Sequence, residues 1–247
     1  MAVAALPAQA STGARGALAA GGAATPSAEG APAGDTGGSS VSQGAPKHRA
    51  PIVAHDPNMR YTGPVYELTA AGALVPYVPA GATALASDLT GGSSAATAAP
   101  GKPRLLVPGV TARLIGGLAA APMNAPPAVR EMIWAANRII GLPYIYGGGH
   151  GSFRSPGYDC SGTVSFALHG ASMLHSPEDS SELESYGHHG VGEWVTIFAN
   201  PGHAYMDIAG LRLDTSPAED PSGLEGPRWR PLRATTAGFV VRHPRGL

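Results

Sequence analysis

Cysteine occurs once in the 247 residues, at Cys160. A lone thiol cannot close an internal disulfide or build a multi-cysteine metal site. It is either a small buried hydrophobe, the common fate of a free cysteine, or a nucleophile. Charge is also scarce: Asp, Glu, Lys and Arg make up 13% of the chain and the formal net charge is -1. No basic field is present to draw nucleic acid or anionic lipid. No apolar run approaches the ~20 residues of a transmembrane helix, so no membrane span is expected. The chain contains no internal repeat.

Glycine (35) and proline (24) are abundant and unevenly spread. Residues 1–50 are mostly Ala, Gly, Ser, Thr and Pro, a composition that cannot bury enough apolar surface to offset the entropy of ordering. Ala2 to Ser11 reads in two ways. One is the end of a secretory signal with Ala8-Gln9-Ala10 as cleavage site, lacking its basic start and most of its apolar core; the other is an Ala-rich leader. Tyr61, Val65, Tyr66 and Leu68 suit a short strand or an adhering segment, and residues 76–105 return to linker composition. The first hundred residues hold nine of the thirty-three charged residues. The division expected is therefore a low-complexity, largely disordered leader and linker over 1–100 and a globular domain over 101–247.

Residues 104–118 form a mixed apolar lead-in. Pro126-Pro127 opens a helix with Val129, Met132, Ile133, Ala136 and Ile140 on its apolar face and Arg130, Glu131, Asn137 and Arg138 on its polar side; Gly141 and Pro143 stop it. Asp159 is a good N-cap for a second helix over about 160–169, closed by Gly170. Residues 176–181 suit the start of a short helix. The period then changes to two. Strands are expected at Trp194–Phe198, His203–Ile208, Leu211–Asp214 and Gly238–Arg242, with turns at Asn200-Pro201-Gly202 and Ala209-Gly210. Helices followed by an antiparallel meander give an α+β class.

Cys160 thus starts a helix, where unpaired N–H groups and the positive end of the dipole favour thiolate over thiol. The same N–H groups offer donors to an oxyanion. Gly162 is expected to keep the approach open for substrate. A thiolate nucleophile needs a base that later acts as acid. Of nine histidines, His48 and His55 lie in the leader. His169 and His175 are better suited to capping the end of the second helix. His188 and His189 sit in a Gly-flanked loop, His243 precedes Pro244 near the C-terminus, and His150 lies in a glycine loop with nothing evident to hold it. His203 starts a strand after a Pro-Gly turn. Asp214 ends the next strand across a two-residue turn, where a carboxylate can accept the imidazole N–H and fix its tautomer. Asp207 is the competitor, but lies farther along the strand.

Tyr144-Ile145-Tyr146-Gly147-Gly148, Tyr158-Asp159-Cys160-Ser161-Gly162, His203 and Asp214 together resemble the NlpC-type cell-wall peptidases, bacterial cysteine endopeptidases with a compact papain-like fold. The resemblance covers residues 128 to about 216. It implies that Cys160 is the nucleophile, His203 the base and Asp214 the orienting residue. It further implies that Tyr144, Tyr146 and Ser161 shape the substrate or oxyanion pocket, that no metal or organic cofactor is needed, and that the partners are peptidoglycan peptides outside the cell or at its wall. Three departures stand out. Asp214 occupies a position where the family more often carries His, Asn or Gln. The loop 149–157, with Phe153 and Arg154, is longer than usual. Gly192-Glu193-Trp194 replaces the common Gly-Asp-Leu. Trp229 lies outside the shared core and suits packing better than a cleft wall. Two rival functions keep the sequence features: acyl transfer or amidase action on another small peptide or lipid amide, and a non-catalytic wall-binding domain with a relic site.

Overall fold

The computed structural model describes residues 61–78 and 101–247. The Ala8–Ala10 motif, the leader over 1–50, His48, His55 and most of the linker lie outside the described residues. The described residues form an α+β arrangement of two sheets and three helices, and no helix among them is long and apolar enough to cross a membrane.

The first sheet departs from the lead-in expected from sequence. Strands β1 (Tyr66–Leu68), β2 (Leu74–Pro76), β3 (Leu105–Val107), β4 (Arg113–Ile115) and β5 (Leu118–Pro122) pair in the order β2-β1-β3-β5-β4. All pairs are antiparallel except β3 with β5. Residues 61–78, counted within the leader and linker, therefore contribute two strands to the sheet. The strands are three to five residues long, too short to show a period in sequence. Gly116 and Gly117 both take positive φ, 57° and 84°. Such a turn matches the twist of the β4–β5 hairpin.

Helix α1 (Pro127–Ile139) starts on its proline, where the missing N–H costs nothing. It buries Val129, Met132, Ile133 and Ala136 as its spacing predicts. Ile140 lies just past the helix as its C-cap. Asn137, read from the sequence as part of the polar side, is buried instead. Its Oδ1 accepts from Ala119 N at 2.9 Å and Trp229 Nε1 at 2.8 Å, and its Nδ2 donates to Ala119 O at 2.8 Å. One amide side chain thus ties β5 and a strand near the C-terminus to α1, and Trp229 is a packing residue.

Helix α2 (Cys160–Gly170) is followed by α3 (Ser180–Leu183), which carries a capping box between Asp179 and Glu182. The second sheet has the order β10-β9-β8-β7-β11-β6, with β6 (His188–His189), β7 (Val195–Asn200), β8 (His203–Ile208), β9 (Leu211–Asp214), β10 (Arg228–Arg230) and β11 (Val240–His243), all antiparallel. On β8, Ala204, Met206 and Ile208 join the core with Val164, Ala167 and Leu168 of α2 and Met132 and Ile133 of α1. The alternate residues, His203, Tyr205 and Asp207, face the other way.

Candidate active site

Cys160 is half-buried at the first position of α2. Asp159 caps the helix: its Oδ1 accepts from Gly162 N at 2.8 Å. The same carboxylate accepts from Gly147 N at 3.0 Å through Oδ2, and Asp159 N donates to Gly148 O at 3.2 Å. One side chain therefore caps the helix and latches the glycine loop onto it. The backbones meet so closely that a Cβ on Gly162 would strike the Gly148 carbonyl, and a Cβ on Gly148 would strike the Gly157 carbonyl. This corrects the expectation for Gly162: its missing side chain makes room for the loop rather than for substrate. Gly162 N is taken by the cap and Thr163 N by Asp159 O. The N–H groups of Cys160 and Ser161 have no intrahelical partner.

The β8–β9 hairpin brings the other two candidate residues to the thiol. Ala209 and Gly210 turn the chain with φ of 49° and 92°, the two positive values that a two-residue hairpin of this twist needs. The register Met206↔Leu213, continued outward, sets Asp214 opposite Tyr205. It is therefore diagonal to His203 on the same face, within reach of a side chain. His203 Nε2 and Asp214 Oδ1 lie 2.9 Å apart. The imidazole and the backbone of Ala204 also act on the Cys160 thiol, both favouring its thiolate. With Nε2 given to Asp214, Nδ1 is the ring nitrogen left for sulfur.

The electrostatics are those of a coupled chain. Burial pushes the Cys160 thiol up, but the His203 hydrogen bond, the Ala204 backbone and the imidazole charge outweigh it, and the thiol ends below its ordinary value. Burial pushes His203 down, yet its bonds to Asp214 and Cys160 carry it up to about 9. Asp214 is buried to 1% exposure. Burial alone would raise it; the bond and charge of His203, the Ser216 N–H and Arg233 hold it below the usual carboxylate range. The arrangement favours thiolate and imidazolium side by side at neutral pH.

Among the remaining candidates, Tyr144 is 41% exposed and lines a recess of ≈ 300 Å³ with His203, Thr215, Ser216, Pro217 and Glu225. Its phenol is pushed up, first by burial and then by the negative charge of Cys160, so it stays a donor. Tyr146 is 91% exposed and does not line this recess. Ser161 does not line it either: it is 2% exposed, and its hydroxyl lies 2.9 Å from His150 Nε2. Asp207 does not meet His203. On the ladder it stands opposite Thr196 and Arg212, and burial pushes its carboxyl up to about 7.

Two residues are missed by sequence reasoning. His150 is held after all, with Nε2 at 2.9 Å from Asp159 Oδ2 and 3.1 Å from Oδ1. Arg233 donates to Asp214 Oδ2 at 3.0 Å. The other histidines are structural or peripheral. His169 bonds Leu174 O at 2.9 Å and stacks on Phe153 at 3.8 Å, His243 bonds Gly190 O at 3.0 Å, and His175, His188 and His189 are exposed.

No family model and no curated protein sequence matches the chain.

Proposed function

We propose that the protein is a cysteine endopeptidase that hydrolyses an amide bond in peptidoglycan stem peptides, and that its core is the papain-like one of the NlpC-type peptidases. The observation that carries this reading is the connected line Cys160–His203–Asp214. A thiol on a helix N-terminus is coupled to an imidazole that has one nitrogen 2.9 Å from a buried carboxylate. Nucleophile, base and orienting group are each within contact of the next, which is the geometric requirement for acyl transfer. The aromatic-glycine run and the Asp-Cys-Ser-Gly element direct the choice toward the cell-wall peptidases. Export belongs to the same proposal, and an Ala/Gly/Pro-rich leader suits a domain that reaches a polymeric wall.

In this mechanism the Cys160 thiolate attacks the scissile carbonyl carbon and forms a C–S bond. The N–H groups of Cys160 and Ser161, with the Tyr144 hydroxyl, face the charge that develops on oxygen. His203 as imidazolium gives its proton to the leaving nitrogen, the C–N bond breaks and the amine departs. Neutral His203 then takes a proton from water. The hydroxide attacks the thioester, the C–S bond breaks and the thiolate returns. Asp214 keeps Nε2 engaged, so Nδ1 faces the sulfur throughout. No step calls on a metal or an organic cofactor.

The test is incubation of the purified protein with defined stem peptides, followed by mass spectrometry. Cleavage of one amide, lost in Cys160→Ala, is expected. Cleavage unchanged in Cys160→Ala would eliminate the thiol mechanism. Adding a primary amine acceptor separates hydrolysis from acyl transfer, because a transferase product carries the acceptor's mass. A Cys160 that a thiol probe labels no faster than a free thiol at neutral pH would favour the non-catalytic alternative.

A further inference from the structure

We propose that Arg233 is a positioning residue for the Cys160–His203 pair: it holds one oxygen of Asp214 so that the other stays aimed at His203. The proposal rests on the catalytic reading above and assigns a residue outside the stretch that resembles the peptidase family.

Asp214 has two oxygens and two different tasks for them. Oδ1 is 2.9 Å from His203 Nε2 and accepts from Ser216 N at 2.9 Å. Oδ2 accepts from Arg233 at 3.0 Å, and Arg212 Nε stands 3.6 Å from it. A carboxylate bonded through one oxygen only is free to rotate about its last bond; bonded through both, it is not. Arg212 cannot supply that hold alone, because its Nε is too distant for a hydrogen bond and finds no partner.

Arg233 is itself fixed. Its guanidinium lies 4.6 Å from the Tyr205 ring centroid and 5.5 Å from that of Phe239. Tyr205 stacks on Phe198 at 4.7 Å, and Phe239 meets Tyr205 edge-on at 5.1 Å and His203 at 6.3 Å. Both rings that hold the guanidinium therefore also flank the imidazole. Arg233 lies in the segment between β10 and β11, which has no regular structure of its own there, so no local fold demands an arginine. One guanidinium N–H meets the carboxylate while Nε stays buried without a partner; it is the plane stacked on the Tyr205 face that fixes this donor, a hold lysine does not share.

The groups around this centre are few. Cys160 comes from α2, Tyr205 and Asp207 from β8, and Arg212 from β9; Arg230 comes from β10, while Tyr144 and Glu225 stand at the recess. Arg230 Nε donates to the main-chain carbonyl of Asp214 at 3.1 Å, whereas Arg233 is the arginine that hydrogen-bonds its carboxylate. Its charge draws on the same carboxylate that stabilises imidazolium, so removing it leaves more of that carboxylate's field for His203.

The test needs no peptide. Because Cys160 is the only cysteine, the rate of iodoacetate alkylation across pH reads this thiol alone; the sulfur stays thiolate when His203 loses its proton, but the anionic reagent then loses the imidazolium charge that draws it, and the rate falls. In Arg233→Met the basic limb of the profile is expected to move up by about half a pH unit, and the plateau rate to fall roughly threefold. Arg233→Lys should restore the limb and not the plateau, since it returns charge without the stacked plane. In an Asp214→Asn background, Arg233→Met should change neither, because the group it acts through is gone. A profile of Arg233→Met that superimposes on the parent overturns the proposal. So does an effect that persists undiminished beside Asp214→Asn. If Arg233→Met does not fold, Arg233→Lys decides: a plateau equal to the parent's refutes the role of the stacked plane. Failure of the parent protein to cleave stem peptides would count against the proposed function and leave the alkylation profiles standing.

Discussion

Asp214 and Asp159 each hold a histidine at 2.9 Å, and both carboxylates are almost fully buried. The similarity ends there. Asp214 and His203 sit on adjacent strands, flanked by Tyr205, Phe239 and Arg233. Asp159 shares its oxygens with the backbone N–H groups of Gly147 and Gly162, and its histidine rides on a glycine loop with a side chain 36% exposed. One pair is built on rigid elements and meets the sulfur. The other fastens a loop to a helix cap. An acid–imidazole contact at a good distance therefore does not identify a catalytic base; the element that carries it and the third group it touches do.

The largest effect that could break this comparison comes from removing each ring in turn. His203→Ala should lower kcat/KM for a stem peptide by roughly 10³-fold, the scale of a lost general base. His150→Ala should cost less than about tenfold, with a loss of stability of about 1 kcal/mol for its hydrogen bonds. Steady-state kinetics and thermal melts on both variants suffice. The reverse order would mean that the helix-cap histidine, not the strand histidine, carries the protons.

The carboxylates sharpen the contrast one step further out. Asp214→Asn should fall by on the order of 10²-fold, because an amide can offer His203 its N–H and set the wrong tautomer. Asp159→Asn should be far milder, since Asn is as good an N-cap as Asp and can still accept from Gly162 N. Equal losses would show that the two acids have one role.

A pH profile reads the same pair with less drastic change. The His203 proton is stabilised by the fold up to about 9, above an ordinary value near 6.5. The stabilisation is therefore fully present below about 6.5 and is lost as pH rises toward 9. Alkylation of Cys160 by iodoacetate should hold across neutral pH and decline near 9, where the anionic reagent loses the imidazolium charge that draws it. In Asp214→Asn that decline should begin at lower pH. A basic limb that does not move with Asp214 would detach the carboxylate from the imidazole.

How much of this was readable before the structure depended on how local each feature is. The cap at Asp159, the start of α2 at Cys160 and the strands His203–Ile208 and Leu211–Asp214 follow from a few neighbouring residues, and they stand at the expected positions. Strands β3 to β5 were invisible because their three- to five-residue lengths show no period. Asn137 belongs to the polar side by type, yet the oxygen and nitrogen of its amide are both satisfied inside. His150 shows no support in sequence because its partner lies nine residues away, reached only after the glycines at 147 and 149 turn with φ of 72° and 92°. Arg233 gave no pattern at all; its partner is nineteen residues away, across β10. Long-range contacts made by irregular segments leave no periodic trace.

A third buried carboxylate gives the smallest test and the cleanest sign. Asp207 faces the same side of β8 as His203, but its Oδ1 is buried without a hydrogen-bond partner, and burial pushes the group up to about 7. The fold thus favours its protonated form, the reverse of Asp214. Below pH 3.8 both folded and unfolded chains hold the proton and the residue is neutral in effect. Between about 4 and 7 the unfolded chain ionises first, so stability drains away as pH rises; above 7 the full cost is reached. Asp207→Asn cannot ionise. It should match the parent near pH 4 and exceed it by on the order of 1 kcal/mol at pH 8, measured by denaturant unfolding at both values. His203 titrates in both proteins and cancels in the difference. A gap that stays flat from pH 4 to 8 would mean that Asp207 keeps its charge in the fold and that both strand carboxylates are held alike.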